Sequence, residues 1–201
     1  LMYMAASPTE EEFFLKGASR VVGRVPLFGG SAADNTISGN WSLYLDGKIT
    51  SEGVAVALIY MKGGFVNEFT GAYRETGDMG IITKVEGTRQ LVSIDGTPAV
   101  KKYAKWRNMK TGELMGDKLL SATITSPLGV KDRLGDLIAI RHPMFANADY
   151  SMNIGANLAE GTTVIRMEAS VDELIASVGE TLKKLNSKLT KPAVCYHLVH
   201  C

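Results

Sequence analysis

Two adjacent glycines, followed by small polar residues, are the feature that most constrains how this chain can fold. The segment reads Phe28-Gly29-Gly30-Ser31-Ala32-Ala33-Asp34-Asn35. Glycine permits positive φ and close approach of the backbone to another group. Ser31, Asp34 and Asn35 add a hydroxyl, a carboxylate and a carboxamide, and polar loops between rigid elements often bind ligands. Spacing alone favours a plainer interpretation, a tight turn before a strand.

Length and composition predict a globular protein. The 201 residues are 45% apolar and 21% charged, which suffices for one large domain or two small halves. A formal net charge of +1 gives no strong field to attract nucleic acid or an acidic membrane. The longest apolar run, residues 54–61, is too short to span a bilayer. We therefore expect neither nucleic-acid nor membrane partners.

The first part of the chain is predicted to contain a helix, a hairpin and a buried strand. Ser7-Pro8-Thr9-Glu10 has the pattern of a capping box, and apolar residues follow at helical spacing to residue 22. Asp46-Gly47 predicts a hairpin turn between residues 41–45 and 48–60. Residues 54–59 are apolar without alternation, which indicates a strand that is covered on both faces.

The middle of the chain predicts strands at residues 81–85 and 90–94, joined by a turn. Thr97 is expected to cap a helix that runs from Pro98 to about residue 109. Tyr103 and Trp106 lie at helical spacing on that helix, which is typical of core packing. A short helix is expected at 113–120 and a turn at 127–130.

The last part of the chain predicts an antiparallel meander of three strands, at residues 137–141, 150–154 and 163–168. Ser170 then begins a second capping box, and apolar residues recur every three or four positions to Leu189. This pattern predicts a helix with one apolar stripe against the sheet. A closing strand is expected at 193–199. The fold class is α+β, with antiparallel or mixed sheets, packed helices and two halves.

No complete motif for catalysis, nucleotide binding or metal binding is present. A nucleophile elbow would need glycine where Ala33 stands, and no phosphate-binding glycine motif occurs. Four potential zinc ligands near the end of the chain occupy one short segment, which cannot close them around a single ion; they are Cys195, His197, His200 and Cys201. The Gly29-Gly30 N–H groups remain a possible nest for a small anion.

Several segments, in this order, resemble those of the FIST sensory domain. The first is the glycine-glycine-serine-alanine segment at residues 25–35, followed by the Asp46-Gly47 hairpin and the apolar strand at 54–59. The later ones are Asp95-Gly96-Thr97-Pro98-Ala99-Val100 with Tyr103, Pro127-Leu128-Gly129-Val130, Ala139-Ile140-Arg141, and Glu160-Gly161-Thr162-Thr163-Val164 with Met167. The matching segments are scattered but cover most of the chain.

The resemblance implies a division into the end of a FIST N-terminal half at residues 1–62, a connector at 63–79, and most of a FIST C-terminal half at 80–201. Because Leu1-Met2-Tyr3-Met4 has the pattern of a strand end and Cys201 falls inside an apolar run, we expect the chain to be a piece of a longer product. The family implies a cytoplasmic location and an output partner, either a signalling domain in cis or a partner kinase.

The resemblance also implies a sensory, non-catalytic function, the binding of a small molecule such as an amino acid. The expected binding residues are Gly29, Gly30, Ser31, Asp34 and Asn35, with Arg141 as their charge partner. One alternative is a haem-binding sensor of nitric oxide, for which His142, His197 and His200 are the candidate axial ligands. Another is a protein-interaction module, which an apolar surface patch would favour.

Overall fold

The computed structural model describes residues 1–8, 11–34, 39–131 and 138–199. The chain divides into two compact units, residues 1–69 with 180–201, and residues 70–179. Both units combine sheets with helices, so the predicted α+β class with two halves is confirmed.

The first unit is built on a small mixed sheet. Its strand β1 (Met2–Ala6) leads through helix α1 (Glu11–Val22) to strand β2 (Leu27–Ser31), which lies parallel to β1. Strands β3 (Leu43–Leu45) and β4 (Lys48–Thr50) form the predicted hairpin around Asp46, whose φ of 49° suits such a tight turn.

Strand β5 (Val54–Leu58) returns antiparallel to β1, which gives the sheet order β2-β1-β5. The predicted strand here is therefore confirmed, but the prediction that both of its faces are covered is wrong. Its last residues are exposed, and the Leu58 side chain keeps 58% of its surface. The unbroken apolar run thus predicted the strand correctly but did not predict how far the strand is buried.

The second unit is built on a larger antiparallel sheet. Its elements, in chain order, are β6 (Arg74–Glu86), β7 (Gln90–Ile94), β8 (Thr97–Pro98), α2 (Ala99–Arg107), a 3-10 helix (Thr111–Leu114), α3 (Lys118–Thr123), β9 (Leu128–Lys131), β10 (Ile138–Arg141), β11 (Pro143–Ala146), β12 (Met152–Ile154) and β13 (Thr163–Glu168). Its described strands follow the order β10-β9-β13-β6-β7-β12-β11, and β8 pairs with β7. The chain then continues into helix α4 (Val171–Ser187).

The hydrophobic core of the second unit lies where α2 packs on β7. Val100 and Tyr103 of the helix are fully buried, together with Leu91 and Ile94 of the strand. Trp106 packs against the same core with part of its surface exposed. The predicted core role of Tyr103 and Trp106 is therefore confirmed.

Three local predictions in this unit are wrong. Thr97 does not cap α2, because Thr97 pairs with Ile94 as part of β8 and no side chain caps the helix. Residues 128–130, predicted as part of a turn, lie in β9, because Gly129 lets the side chains of Ile138 and Met167 approach to within 3 Å of the place that a Cβ would fill. The predicted short helix at 113–120 is instead a 3-10 helix followed by α3.

The three predicted strands β10, β12 and β13 exist, but they do not form a meander. Strand β13 pairs with β6 and β9, whereas β12 pairs with β7 and β11 toward the opposite edge of the sheet. The prediction failed because β9 and β11 were not recognised as strands. Short links in sequence therefore did not mean neighbouring strands in the sheet.

The start of α4 matches its prediction, and its packing does not. The Ser170 N–H donates to Glu173 Oε2 (2.7 Å) and the Glu173 N–H to Ser170 Oγ (3.2 Å), which is the reciprocal pattern of a capping box. No α4 residue is fully buried, and Leu174, Val178 and Leu185 of its apolar stripe are only half-buried, so the close packing predicted for the stripe is wrong. The prediction of a closing strand is also wrong, because residues 193–199 pair with no described strand and Val194 is fully exposed.

Candidate functional site

A βαβ unit positions most of the residues that the sequence predicts for ligand binding. Strands β1 and β2 are parallel and are joined by α1. The carboxyl ends of the two strands therefore lie side by side, at Ala6 and Ser31. Ligands bound by such units usually lie beyond the carboxyl ends of the strands. Asp34 follows β2 at this end.

Gly29 has a structural role that the sequence interpretation missed. It lies inside β2, so the prediction of a loop at Gly29-Gly30 is wrong. Its φ is +147°, and a Cβ there would come within 1.8 Å of the Met4 carbonyl oxygen on β1. Glycine is thus required for β1 and β2 to pair at this point.

The strand conformation also changes what the backbone of the two glycines can bind. The Ala32 N–H donates to the Ala6 carbonyl (2.8 Å), and successive N–H groups along a strand point to opposite edges. The Gly30 N–H therefore points toward β1, and the Gly29 and Ser31 N–H groups point toward the outer edge. Adjacent N–H groups of Gly29 and Gly30 cannot converge on one anion in this conformation.

Two of the predicted polar residues lie at the carboxyl end of β2, Ser31 as its last residue and Asp34 just after it. Ser31 is exposed and Asp34 is half-buried. Asp34 Oδ2 accepts a hydrogen bond from the Asn40 N–H at 2.7 Å. Asn35, predicted as part of the site, lies outside the described residues. The described part of the site therefore offers one hydroxyl and one carboxylate.

The end of the chain packs beside β2. The His197 and Phe28 rings make an edge-to-face contact with centroids 4.9 Å apart. A Cβ added at Gly30 would lie 3.2 Å from a methyl group of Val199. Gly30 thus leaves room for this segment. This contact was not predicted, because the apolar pattern of residues 193–199 indicated a strand.

Arg141 belongs to the other unit. It lies on β10, where its Nε donates to the Asn157 carbonyl (3.0 Å) and its Nη1 to the Ile140 carbonyl (3.2 Å). The guanidinium therefore helps to hold the loop at Asn157 to the strand. Its predicted pairing with a ligand at the end of β2 stays a prediction.

The candidate haem ligands differ in accessibility. Burial lowers the pKa of His142, and this effect outweighs a hydrogen bond with the Leu120 backbone that would raise the pKa. The ring therefore favours its neutral form. His142 Nε2 is enclosed by protein and has no hydrogen-bond partner among the described residues. An iron atom cannot reach it without displacing the chain, so His142 does not fit haem ligation in this conformation. His197 is exposed, and His200 lies outside the described residues.

Potential metal ligands do not cluster in the described part of the chain. No group of three potential His, Cys, Asp or Glu ligands occurs within residues 1–8, 11–34, 39–131 and 138–199. Cys195 is exposed, and its Sγ contacts the Tyr196 carbonyl at 3.6 Å. Cys201 lies outside those ranges.

Comparison with protein families identifies the chain. The model of the FIST N domain matches residues 1–97, and that of the FIST C domain matches residues 99–201. No curated protein and no solved structure matches the chain significantly. The fold and the two matches define a sensory domain of the kind used in signal transduction. The chain belongs to the FIST family.

The helices within the described ranges do not have the properties of membrane spans. None of the helices there combines the length and the apolar character that a bilayer crossing requires.

Proposed function

We propose that the chain is the ligand-binding part of a non-catalytic signalling sensor, and that a small molecule binds at the carboxyl end of β2. The observation that carries this proposal is the position of Ser31 at the carboxyl end of a parallel strand in a βαβ unit, with Asp34 three residues further on. The family relation supports the sensory role. Asn35 and Arg141 remain proposed members of the site.

The chemistry of the site favours a ligand that carries an ammonium group. The Asp34 carboxylate suits such a cation, and the Ser31 hydroxyl can donate to or accept from a neighbouring polar group. The outward N–H groups of Gly29 and Ser31 suit a carbonyl or carboxylate oxygen at the strand edge. A free amino acid combines these groups, and we propose this class of ligand. Binding is transmitted to a cytoplasmic output domain in cis or to a partner kinase.

The first experiment is a thermal-shift screen of the chain against the free amino acids, followed by calorimetry on each compound that raises the melting temperature. We then expect Asp34→Asn to weaken binding about tenfold or more, because a hydrogen bond to a charged group contributes about 1.5–3 kcal/mol. Asparagine keeps a side-chain oxygen that can accept from the Asn40 N–H, so this hydrogen bond is retained. Ser31→Ala should give a smaller loss.

The matched control is Asp46→Asn in the β3-β4 hairpin turn, because it makes the same charge change in the same unit and asparagine tolerates its positive φ. Binding should be unchanged in this control. Equal affinity of Asp34→Asn and the unsubstituted chain for every compound that binds would refute the site. A melting temperature that no amino acid raises would refute the ligand class.

A further inference from the structure

We propose that a concavity in the second unit binds the carboxylate group of a small monocarboxylic acid. The cavity has a volume of about 280 Å³ and lies where the ends of α2, β13 and the α3-β9 link meet the start of α4. Three of the residues that line the cavity are arginines. The lining residues are Arg74, Arg107, Thr125, Ser126, Arg166, Glu168, Ala169 and Ser170.

Two of the arginines are held by carboxylates. Arg166 Nε donates to Asp78 Oδ2 (2.7 Å), and its Nη1 donates to Ser126 Oγ (3.2 Å). Arg74 pairs with Glu173 (2.7 Å) and Glu168 (3.2 Å) at the rim. These contacts fix the walls of the cavity before any ligand binds, which lowers the cost of binding.

Arg107 differs, because its described hydrogen bonds go to neutral oxygens. Its Nη1 donates to the Tyr103 hydroxyl (3.1 Å) and to the Ala122 carbonyl (2.8 Å). The Tyr103 hydroxyl is buried and itself donates to the Ser126 carbonyl at 2.6 Å. Within the described ranges no carboxylate lies within ion-pairing distance of Arg107. A half-buried guanidinium without a counter-ion is stabilised by an anion that reaches it.

The surrounding charges decide which anion fits. Arg74 and Arg166 pair with three carboxylates, at Asp78, Glu168 and Glu173, which leaves Arg107 as the one lining arginine without an acidic partner in the described ranges. A single carboxylate matches the charge of Arg107, whereas a doubly charged phosphate would bring a second negative charge close to Glu168, which also lines the cavity. The Thr125 hydroxyl, which also lines the cavity, can donate to the same group. The volume of about 280 Å³ lies just below the usual range of pockets for drug-sized ligands, so the cavity suits a small acid.

The test is an NMR titration of the whole 201-residue chain with sodium acetate, propionate and lactate, and with inorganic phosphate, at constant ionic strength. Saturable shifts are expected at the Thr125, Ser126 and Ser170 amides with at least one monocarboxylate. Arg107→Gln should weaken that binding at least tenfold. Arg107→Lys keeps the charge but loses the planar fork, so it should weaken binding less.

Lys105→Gln is the control, because it removes the same charge from the same helix at an exposed position outside the cavity; its affinity should stay within about twofold. If Arg107→Gln does not fold, Arg107→Lys and Thr125→Val carry the test. The proposal is overturned if no monocarboxylate gives saturable shifts, if the Arg107 and Thr125 variants bind as the unsubstituted chain does, or if phosphate binds more tightly.

This inference does not depend on the site at the end of β2. The Ser31→Ala and Asp34→Asn variants should leave the monocarboxylate shifts unchanged, and Arg107→Gln should leave amino-acid binding at β2 unchanged. Failure of one site is therefore distinguishable from failure of the other.

Discussion

Helices α2 and α4 each carry one apolar face, yet only the face of α2 has fully buried residues. In α2 the residues Ala99, Val100, Tyr103 and Ala104 are enclosed, whereas Ile175 of α4 keeps 68% of its surface. The apolar spacing of α4 is the more regular of the two in the sequence. Periodicity thus predicts that a helix forms and which face is apolar, but it does not predict what covers that face.

The anchors of the two helices differ in kind. Helix α2 is fixed through its buried side, where the Val100 N–H donates to the Tyr150 carbonyl (2.9 Å) and the Tyr103 hydroxyl to Ser126. Helix α4 is fixed in the second unit by polar contacts at its start, through Ser170 and the Arg74–Glu173 ion pair. Substitutions in the two helices should therefore differ strongly in their effect on stability.

The largest effect is expected for Tyr103→Ala. This change removes a fully buried aromatic ring from the core and leaves the Ser126 carbonyl without its donor. We expect a loss of about 3–5 kcal/mol in the free energy of unfolding. Urea unfolding monitored by circular dichroism measures it. A loss below about 1 kcal/mol would mean that α2 does not pack as described, and the contrast with α4 would fail.

Tyr103→Phe should have a smaller effect, because it removes only the hydroxyl. The Ser126 carbonyl and Arg107 Nη1 each lose a hydrogen-bond partner, which should cost about 1–3 kcal/mol. The same unfolding experiment measures it. The exposed Tyr44→Phe, with 70% of the Tyr44 side chain in solvent, is the matched control and should change stability by less than about 0.5 kcal/mol. Equal effects at both positions would show that the buried hydroxyl network does not stabilise the protein.

The sequence predicted elements better than it predicted pairing. The Ser170-x-x-Glu173 pattern is local and gave the start of α4 correctly, because a capping box needs only neighbouring residues. Strand β9 was missed because Gly129 was interpreted as a turn residue. In the structure a glycine is needed there because the side chains of Ile138 and Met167 occupy the space of a Cβ. Such a requirement arises only from distant contacts, which one sequence does not show.

The surroundings of the candidate site also depend on distant contacts. Ser31 and Asp34 were selected for their chemistry, and the structure places them at the carboxyl end of β2, while their role in binding stays a prediction. The double glycine was interpreted as a loop, because nothing in the sequence shows that the Met4 carbonyl lies against Gly29. The Arg107 cavity was missed entirely, since its three arginines come from positions 74, 107 and 166 and only the sheet and α2 bring them together.

Acidification should weaken the start of α4 and leave the packing of α2 intact. The Ser170 N–H, with help from Arg74 and the Ser170 hydroxyl, lowers the pKa of Glu173 from 4.5 to about 2. The unfolded chain therefore binds more protons than the folded chain between these values. The stabilisation by Glu173 is present above about pH 4.5 and is lost as the pH falls toward 2.

Glu173→Gln should remove this part of the pH dependence. The test compares the urea unfolding midpoints of the unsubstituted chain and of Glu173→Gln at pH 6, 4.5 and 3. The difference between the two midpoints should shrink as the pH falls. Glu180→Gln, a change on the same helix away from the cap, is the control and should retain the dependence. A constant difference across the three pH values would show that Glu173 does not act through its charge.

The smallest effect is expected for Ile175→Ala, and its sign tests the comparison most directly. Alanine has the higher helix propensity, by about 0.4 kcal/mol, and Ile175 buries little surface. The free energy of unfolding should therefore stay within about 0.5 kcal/mol of its original value or rise slightly. Ile94→Ala, at a fully buried position on β7, should lose about 2–5 kcal/mol. If Ile175→Ala lost 2 kcal/mol or more, the apolar face of α4 would be covered in solution, and the two helices would then differ in what they pack against, not in whether they are buried.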